Sequence, residues 1–258
     1  DAYRASGADG IVAFGGGSSM DLAKAMGLMV THEGPFERLG GSKRGMKFIT
    51  KIPPLIAVPT TAGTGSEVSP GAVVILNNGM KETFVSAHLV PVAAVCDPEL
   101  TLGLPPLLTA ATGMDAMTHC IEAVLTPVVH PPAEAIGVDG AERIGKWLEV
   151  AVKDGANRDA RWHMMMGSFE GALAFAKGLG AVHGLSHALG RIHELKLHHG
   201  TLNAVILPHS LAMIGNSAEE KFARLRRALG LAPNADLPQY IADLNARIGL
   251  PSGLGAMG

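Results

Sequence analysis

Four residues in the second half of the chain have the side chains and the spacing of a metal site. Asp115 and His119 are four residues apart, so on a helix both project from one face and can reach the same ion. His183 and His199 flank glycine-rich turns further along. One carboxylate and three imidazoles form an oxygen and nitrogen donor set that suits a divalent transition metal. An isolated Asp-x-x-x-His pair is more often a surface pair, so the prediction rests on all four residues together.

The region that must position these residues has helical periodicity throughout. We predict an all-helical metal-binding domain over residues 104–258, without strands. Its predicted helices span 106–126, 132–153, 158–178, 181–192, 203–215, 218–229 and 237–247. Asp115 and His119 lie on the first of these helices, and His183 lies on the fourth.

Residues 1–103 have instead the alternating pattern of an α/β nucleotide-binding domain. Buried strands are predicted at 10–14, 55–58 and 92–96, and an Asn-Asn-Gly turn at 77–79 predicts a hairpin. We expect a Rossmann-like parallel sheet. A parallel strand such as 10–14 needs neighbours on both sides, and the chain ends in a loop. We therefore also expect the sheet to be incomplete and sequence to be missing at both ends.

A glycine-rich segment follows the first predicted strand. Residues 15–21 are Gly-Gly-Gly-Ser-Ser-Met-Asp, and a predicted helix begins within them. Bare backbone N–H groups at the positive end of a helix bind phosphate well. The segment is neither the GxGxxG fingerprint nor a Walker loop. A triple glycine after a strand is equally typical of a tight turn, so the sequence leaves both interpretations open.

A second loop of small residues follows the strand at 55–58. Residues 59–67 are Pro-Thr-Thr-Ala-Gly-Thr-Gly-Ser-Glu. In open α/β sheets, ligands bind beyond the carboxyl ends of the strands. The three threonine hydroxyls could therefore contact ribose or phosphate. The alternative is a capped loop, in which Ser66 or Thr64 begins a helix.

Composition excludes several classes of partner. A net charge of −2 and an aromatic content of 4% argue against nucleic acid and anionic membranes. The two cysteines, Cys96 and Cys120, form no CxxC pair, which favours a reduced, cytoplasmic protein. No apolar run is long enough to predict a transmembrane helix.

Four motifs together resemble the iron-containing (group III) alcohol dehydrogenases of the dehydroquinate synthase-like superfamily. They are the segments at 15–21, 59–67, 113–119 (GMDAMTH) and 183–187 (HGLSH). The resemblance covers nearly all of the chain. It implies NAD- or NADP-linked hydride transfer on a small alcohol or aldehyde, with Fe²⁺ or alternatively Zn²⁺ as the metal. It also implies a dimer.

The resemblance assigns roles to individual residues. The implied cofactor-binding positions are Gly16, Gly17, Ser18, Asp21, Thr60, Thr61, Thr64 and Lys81. Asp115, His119 and His183 match three metal ligands. His187 matches a histidine near the substrate that is not a ligand, and we expect it to carry the alcohol proton.

The fourth metal ligand is ambiguous between two adjacent histidines. The family takes it from a proline-histidine-glycine step, but here the chain has Leu197-His198-His199-Gly200. Matching from the downstream side selects His199, whereas distance from His183 slightly favours His198. We predict His199, because an inserted residue is most easily absorbed in the preceding loop.

Other functions remain open from the sequence. A maleylacetate-reductase-like enzyme would reduce an enoate without metal, and a dehydroquinate-synthase-like lyase would use both NAD and metal. A non-enzymatic metal or nucleotide binder is a further alternative. The sequence does not decide between NAD and NADP, because the discriminating segment would lie before Asp1. Iron rests on the resemblance alone, since the Irving–Williams order favours zinc.

Overall fold

The computed structural model of the protein describes residues 1–195 and 197–257. These residues form two compact units. The sheet unit comprises Asp1–Thr60 and Ser66–Asp97, and the helical unit comprises Thr61–Gly65 and the chain from Pro98 onward. The predicted order, an α/β part followed by a helical part, is confirmed. The domain boundary at residue 103 stays a prediction.

Within the described residues, the sheet unit holds a parallel sheet and a separate hairpin. Its elements are α1 (Ala2–Ser6), β1 (Ile11–Gly15), α2 (Gly17–Thr31), β2 (Leu55–Pro59), β3 (Gly71–Ile75), β4 (Lys81–Val85) and β5 (Ala93–Ala94). In the sheet, β2 lies between β1 and β5 and is parallel to both. The register places Gly15 opposite Pro59, so the two predicted ligand loops leave the same edge of the sheet. The antiparallel β3 and β4 form the predicted hairpin.

The third predicted strand is shorter than expected. Only Ala93 and Ala94 pair regularly, although the sequence predicts a strand over 92–96. Prolines at 91 and 98 bracket this segment, and a proline has no N–H with which to extend a ladder. Single bonds from Val92 N to Leu55 O and from Val95 N to Ala57 O continue the contact with β2.

The first strand is buried on one face only. Ile11 and Ala13 pack with residues of α2 in the core, as the sequence predicts. Val12 and Phe14 point to the opposite face and are 68% and 60% exposed. Side chains alternate between the two faces of a strand, and among the described residues only the α2 side of β1 is covered. The predicted parallel strand is confirmed, and in this structure it is buried on the α2 side alone.

A buried lysine fastens α2 to the chain that follows the threonine loop. Lys24 is fully buried, and its Nζ donates to the carbonyl oxygens of Ser66, Ser69 and Gly71 at 2.7, 2.8 and 2.8 Å. Burial lowers the pKa of Lys24 to about 8. An ammonium group removed from water needs such partners, so Lys24 fixes the path of the chain between Ser66 and β3.

The helical unit is built around one central helix. Its helices are α3 (Pro106–Leu125), α4 (Pro131–Lys153), α5 (Arg158–Ala174), α6 (Ala181–Leu189), α7 (His199–Ile214), α8 (Glu219–Ala228) and α9 (Leu237–Arg247). Every residue of α3 from Thr109 to Val124 is buried. Each helix in the described part of the chain is too short or too polar to cross a membrane.

Glycines allow α3, α4 and α5 to pack closely. A Cβ atom on Gly140 would lie 2.7 Å from Cys120 Sγ. One on Gly171 would lie 3.1 Å from the carbonyl oxygen of Ala116 and 3.2 Å from the Cβ of His119. The polar residues of α3 are therefore held in a closely packed, largely apolar environment.

The helix that carries the last predicted ligand begins earlier than expected. The sequence predicts a helix over 203–215, but α7 starts at His199. His198 is its N-cap, and His198 Nδ1 accepts from the backbone N–H of Thr201 at 3.4 Å. Histidine is not among the preferred capping residues, so the sequence gives little sign of this start.

Candidate functional site

Side chains from α3, α6 and α7 converge on the carboxylate of Asp115. Its Oδ1 lies 3.8 Å from Nε2 of His119, 3.6 Å from Nε2 of His183 and 3.6 Å from Nε2 of His199. Asp115 and His119 are one turn apart on α3, as predicted. One donor atom each of Asp115, His183 and His199 lies within 4.8 Å of the others. The ring of His119 lies outside that group of three and stacks on His183, with centroids 4.6 Å apart.

The charges of these buried groups are strongly coupled. Burial alone would raise the pKa of Asp115, but the surrounding imidazoles outweigh burial and hold this pKa well below its usual range. Burial also lowers the pKa of His119 to about 4, despite the opposing effect of Asp115. His119 is therefore neutral near pH 7, and a neutral imidazole is the form that binds a metal. Asp115 supplies a permanent negative charge.

His183 lies between two carboxylates. Its Nε2 faces Asp115, and its Nδ1 lies 2.7 Å from Oε2 of Glu122. Burial alone would lower the pKa of His183, but Asp115 and Glu122 outweigh burial and raise it to about 9. Glu122 is not among the site residues predicted from the sequence. Its spacing of three residues from His119 and seven from Asp115 places it on the same side of α3, which is the signal that could have identified it.

Asn203 is a second residue that the sequence analysis misses. Its Nδ2 donates to Oδ1 of Asp115 at 2.7 Å and lies 3.2 Å from Nε2 of both His183 and His199. Asn203 follows His199 by one turn of α7, so the i, i+4 spacing is the available signal. Its Oδ1 is buried and has no hydrogen-bond partner among the described residues. An unsatisfied buried carbonyl is costly, and here it lies on a side chain that contacts three of the predicted metal ligands.

The remaining predicted histidine lies beside this group. His187 is half-buried, and its ring centroid lies 5.0 Å from that of His199 and 6.3 Å from that of His183. It follows His183 by one turn of α6. The structure thus brings His187 close to two of the predicted ligands, His183 and His199, of which His199 is itself 30% exposed.

The two adjacent histidines at the start of α7 differ in their contacts. Replacing His199 with alanine should weaken metal binding about tenfold or more, because its Nε2 faces Asp115. Replacing His198 with asparagine should change metal affinity little, since asparagine preserves the N-cap. Titration against a competing chelator measures both values. A larger loss in the His198 variant would show that the ligand assignment is wrong by one residue.

The glycine motif forms a turn between β1 and α2. Gly15 has φ +143°, and a Cβ atom there would lie 2.6 Å from Ser19 Oγ, so only glycine fits this turn. The N-cap of α2 is Gly16, which has no side chain to cap the helix, and the first turn holds no acidic residue. The positive end of α2 is consequently available to an anion through the backbone N–H groups of the first turn. Gly17 is the first residue of the helix.

Asp21, predicted to contact the cofactor, is bonded to other parts of the sheet unit. Its Oδ1 accepts from Ser66 Oγ at 2.6 Å, and its Oδ2 accepts from Val73 N at 2.9 Å. Burial raises the pKa of Asp21, and Lys81 is among the groups that oppose this effect. Asp21 and Lys81 therefore lie close enough to interact electrostatically. Contact of either with the cofactor stays a prediction.

The threonine loop is divided between the two units. Thr60 donates its backbone N–H to Gly15 O at 3.0 Å, which links the two loops at the edge of the sheet. Residues 61–65 belong to the helical unit. Gly65 has φ +64°, and a Cβ atom there would collide with Ala172 of α5. The Oγ1 of Thr61 is buried without a partner in the described part of the chain, and contact of Thr61 with a cofactor stays a prediction.

The alternative interpretation of this loop as a helix cap is wrong. Among the described residues, no helix starts between 59 and 70. Ser66 instead donates its hydroxyl to Asp21. The loop is thus held by its neighbours and by Lys24, rather than by a helix of its own.

Comparison with known proteins identifies relatives over the whole chain. Residues 1–98 match the family model for "Iron-containing alcohol dehydrogenase", and residues 109–258 match "Fe-containing alcohol dehydrogenase family, C-terminal". A 4-hydroxybutyrate dehydrogenase of Cupriavidus necator is 53% identical over 264 residues, covering 99% of this chain and 69% of the relative. A 1,3-propanediol dehydrogenase of Citrobacter freundii is 37% identical, covering 100% of this chain and 68% of the relative.

Solved structures give the same result. A crystal structure of a 1,3-propanediol oxidoreductase superposes with a TM-score of 0.92 at 35% identity, covering 99% of this chain and 68% of that one. A sulfoacetaldehyde reductase of Bifidobacterium kashiwanohense in complex with NAD⁺ has a TM-score of 0.87 at 31% identity, covering 98% and 67%. The chain thus spans about two thirds of the length of these relatives.

Proposed function

Because the chain belongs to the iron-containing alcohol dehydrogenase family, we propose that it transfers hydride between a small alcohol or aldehyde and a nicotinamide cofactor. The predicted family and the predicted class, an oxidoreductase that acts on alcohol groups, are confirmed. The proposed metal ligands are Asp115, His119, His183 and His199. The single observation that carries this proposal is the convergence of three imidazole nitrogens on one buried carboxylate.

The donor set fits a divalent ion. Tetrahedral ligands about 2.0–2.2 Å from an ion lie roughly 3.3–3.6 Å from one another. The distances from Asp115 Oδ1 to the three Nε2 atoms are 3.6 to 3.8 Å, close to this range. The donor atoms of Asp115, His183 and His199 lie within 4.8 Å of one another and His119 lies outside that group, so the imidazoles would have to move toward an ion on binding it. The unpartnered Oδ1 of Asn203 lies on a side chain that contacts three of these ligands. Retention of the full donor set also favours the dehydrogenase over a metal-free reductase.

The residues of the site have different roles in the proposed reaction. When bound, the ion would act as a Lewis acid on the substrate oxygen, and nicotinamide would accept or return hydride. Asp115, which is 3% exposed, would offset the positive charge of the ion. His187 is half-buried and adjacent to His199, so it is placed to pass the alcohol proton between the site and solvent.

The cofactor part of the proposal rests on the two loops at the edge of the sheet. The uncapped N-terminus of α2 suits the pyrophosphate. We take NAD as the cofactor, since a structural relative was solved with NAD⁺, and iron as the metal, after the family. NADP, zinc, a dimer and a cytoplasmic location stay predictions.

We take 4-hydroxybutyrate and the corresponding aldehyde as the first substrates to test, because a relative with that name is 53% identical. Protein purified without oxygen should contain iron. It should oxidise 4-hydroxybutyrate or a short alcohol with NAD, and a chelator should abolish this activity. Adding back Fe²⁺ or Zn²⁺ identifies the productive ion. A panel of short alcohols and hydroxy acids that gives no metal-dependent turnover would overturn the proposal.

A further inference from the structure

Glu122 makes a set of contacts that the proposed ligands do not account for. It lies on α3, one turn beyond His119, and is 5% exposed. Its Oε2 lies 2.7 Å from Nδ1 of His183 and accepts from the backbone N–H of the same residue at 3.3 Å. Its Oε1 accepts from Val182 N at 2.7 Å. One buried carboxylate therefore holds both the ring and the backbone of a single histidine.

The ring contact determines which nitrogen of His183 faces the site. A carboxylate accepts but does not donate, so Nδ1 of His183 must carry the proton that is shared with Glu122. Because Nδ1 keeps its proton, Nε2, which lies 3.6 Å from Asp115, is the ring nitrogen that would give up its proton and present a lone pair to an ion. The opposite tautomer would place a proton where an ion must bind. A carboxylate that accepts from the ring nitrogen not facing the ion also makes the imidazole more basic, and therefore a stronger metal ligand.

The space around Glu122 is shaped to its side chain. A Cβ atom on Gly180, the residue before α6, would lie 2.6 Å from Glu122 Oε1. The carboxylate reaches the first turn of α6 only because that position has no side chain. Glu122 thus fixes the start of α6 in the direction that aims His183 at Asp115.

We propose that Glu122 is the positioning residue of the metal site, which sets the tautomer and the direction of His183 without contacting the ion. The inference rests on the proposed metal site. The alternative is a purely structural role, since a carboxylate at a helix N-terminus also stabilises that helix. The two roles differ in one respect. A cap affects stability alone, whereas a positioning residue also changes the affinity for an ion and the state of the His183 ring.

The experiment compares Glu122→Gln and Glu122→Leu with a matched control. Glutamine keeps the size of the side chain and one oxygen acceptor, whereas leucine keeps only the size. The control is Glu134→Gln on α4, which breaks ion pairs of a carboxylate with Lys177 and Arg224. Thermal unfolding ranks the stability of all three variants, and competition with a chelator gives the affinity of each for Co²⁺. Proton NMR of the Co²⁺-loaded protein reports the ring N–H of His183.

We expect Co²⁺ affinity to fall about 10–100-fold in the leucine variant and by less in the glutamine variant. The control should lose stability without losing affinity. In the unaltered protein, the Nδ1 proton of His183 should give a slowly exchanging signal, which should persist or weaken in the glutamine variant and exchange rapidly or vanish in the leucine variant. If a variant fails to fold, the signal of the His183 Nδ1 proton in the unaltered protein still tests the proposal.

The outcomes separate this inference from the proposed function. If the unaltered protein binds no Co²⁺, both are overturned. If it binds Co²⁺ but its His183 carries no protected Nδ1 proton, or if both Glu122 variants keep its affinity within about twofold, the role of Glu122 is overturned and the metal site stands.

Discussion

Replacing Asp115 with asparagine should leave the fold intact and remove the bound metal ion. The carboxylate of Asp115 is the common neighbour of three imidazole Nε2 atoms, so it is the centre of the donor set. An asparagine has the same shape but no charge, and an ion held by imidazoles alone loses its only anionic ligand. We expect metal affinity to fall at least about 100-fold, more than for loss of a residue outside the ligand set. Metal analysis of the purified variant measures this directly.

A second measurement separates this effect from unfolding. Asp139→Asn on α4 is the matched control, because Asp139 pairs with Arg143 in a partly exposed position. The control should keep both metal and dehydrogenase activity, and Asp115→Asn should lose both together. Removing the charge of Asp115 should also lower the pKa of His183, which NMR titration detects. Stoichiometric metal in the Asp115 variant would rule out the proposed site.

Replacing Gly17 with valine should block cofactor binding and spare the metal. Gly17 is the first residue of α2, and the uncapped end of this helix supplies the N–H groups proposed to bind pyrophosphate. A branched side chain there would stand where phosphate must approach the backbone. We expect NADH affinity, measured by fluorescence titration, to fall at least about tenfold, which corresponds to about 1.4 kcal/mol of binding free energy. Metal content should be unchanged, because all four proposed ligands belong to the helical unit.

The control for this variant is Leu22→Val. Leu22 lies on the same helix and is 65% exposed, so the change introduces the same branched side chain away from the turn. It should bind NADH as the unaltered protein does. If the Gly17 and Leu22 variants bind NADH equally well, the turn between β1 and α2 is not the cofactor site.

The sequence predicts the parts of this molecule that depend on local order. Helical periodicity places α3, α4 and α9 within a residue or so of their observed bounds. The spacing of Asp115 and His119 places both side chains on one face of a helix because that geometry depends only on four consecutive peptide units. The loops at 15–21 and 59–67 follow strands for a similar local reason.

The parts that the sequence does not predict depend on contacts between distant residues. Glu122 contacts His183, which is 61 positions away in the sequence, and Asn203 contacts Asp115, which is 88 positions away. No local sequence pattern predicts such a contact. Asp21 illustrates the same limit, because its motif suggests a ligand contact while its carboxylate bonds to Ser66. The side chain is of the expected kind, but only the fold shows which partner it has.

The close packing at Gly171 has a consequence for attempts to make the enzyme more heat-resistant. Exchanging a helical glycine for alanine usually gains about 1 kcal/mol in helix propensity, which makes such positions common targets in protein engineering. On α5, the added methyl group would lie 3.2 Å from Cβ of His119 and 3.1 Å from Ala116 O. To accept the methyl group, α3 would have to move by a few tenths of an ångström, and His119, one of the proposed ligands, would move with it. Thermostability and metal affinity are therefore coupled at this helix contact, and stabilising substitutions are better sought on the exposed faces of α8 and α9.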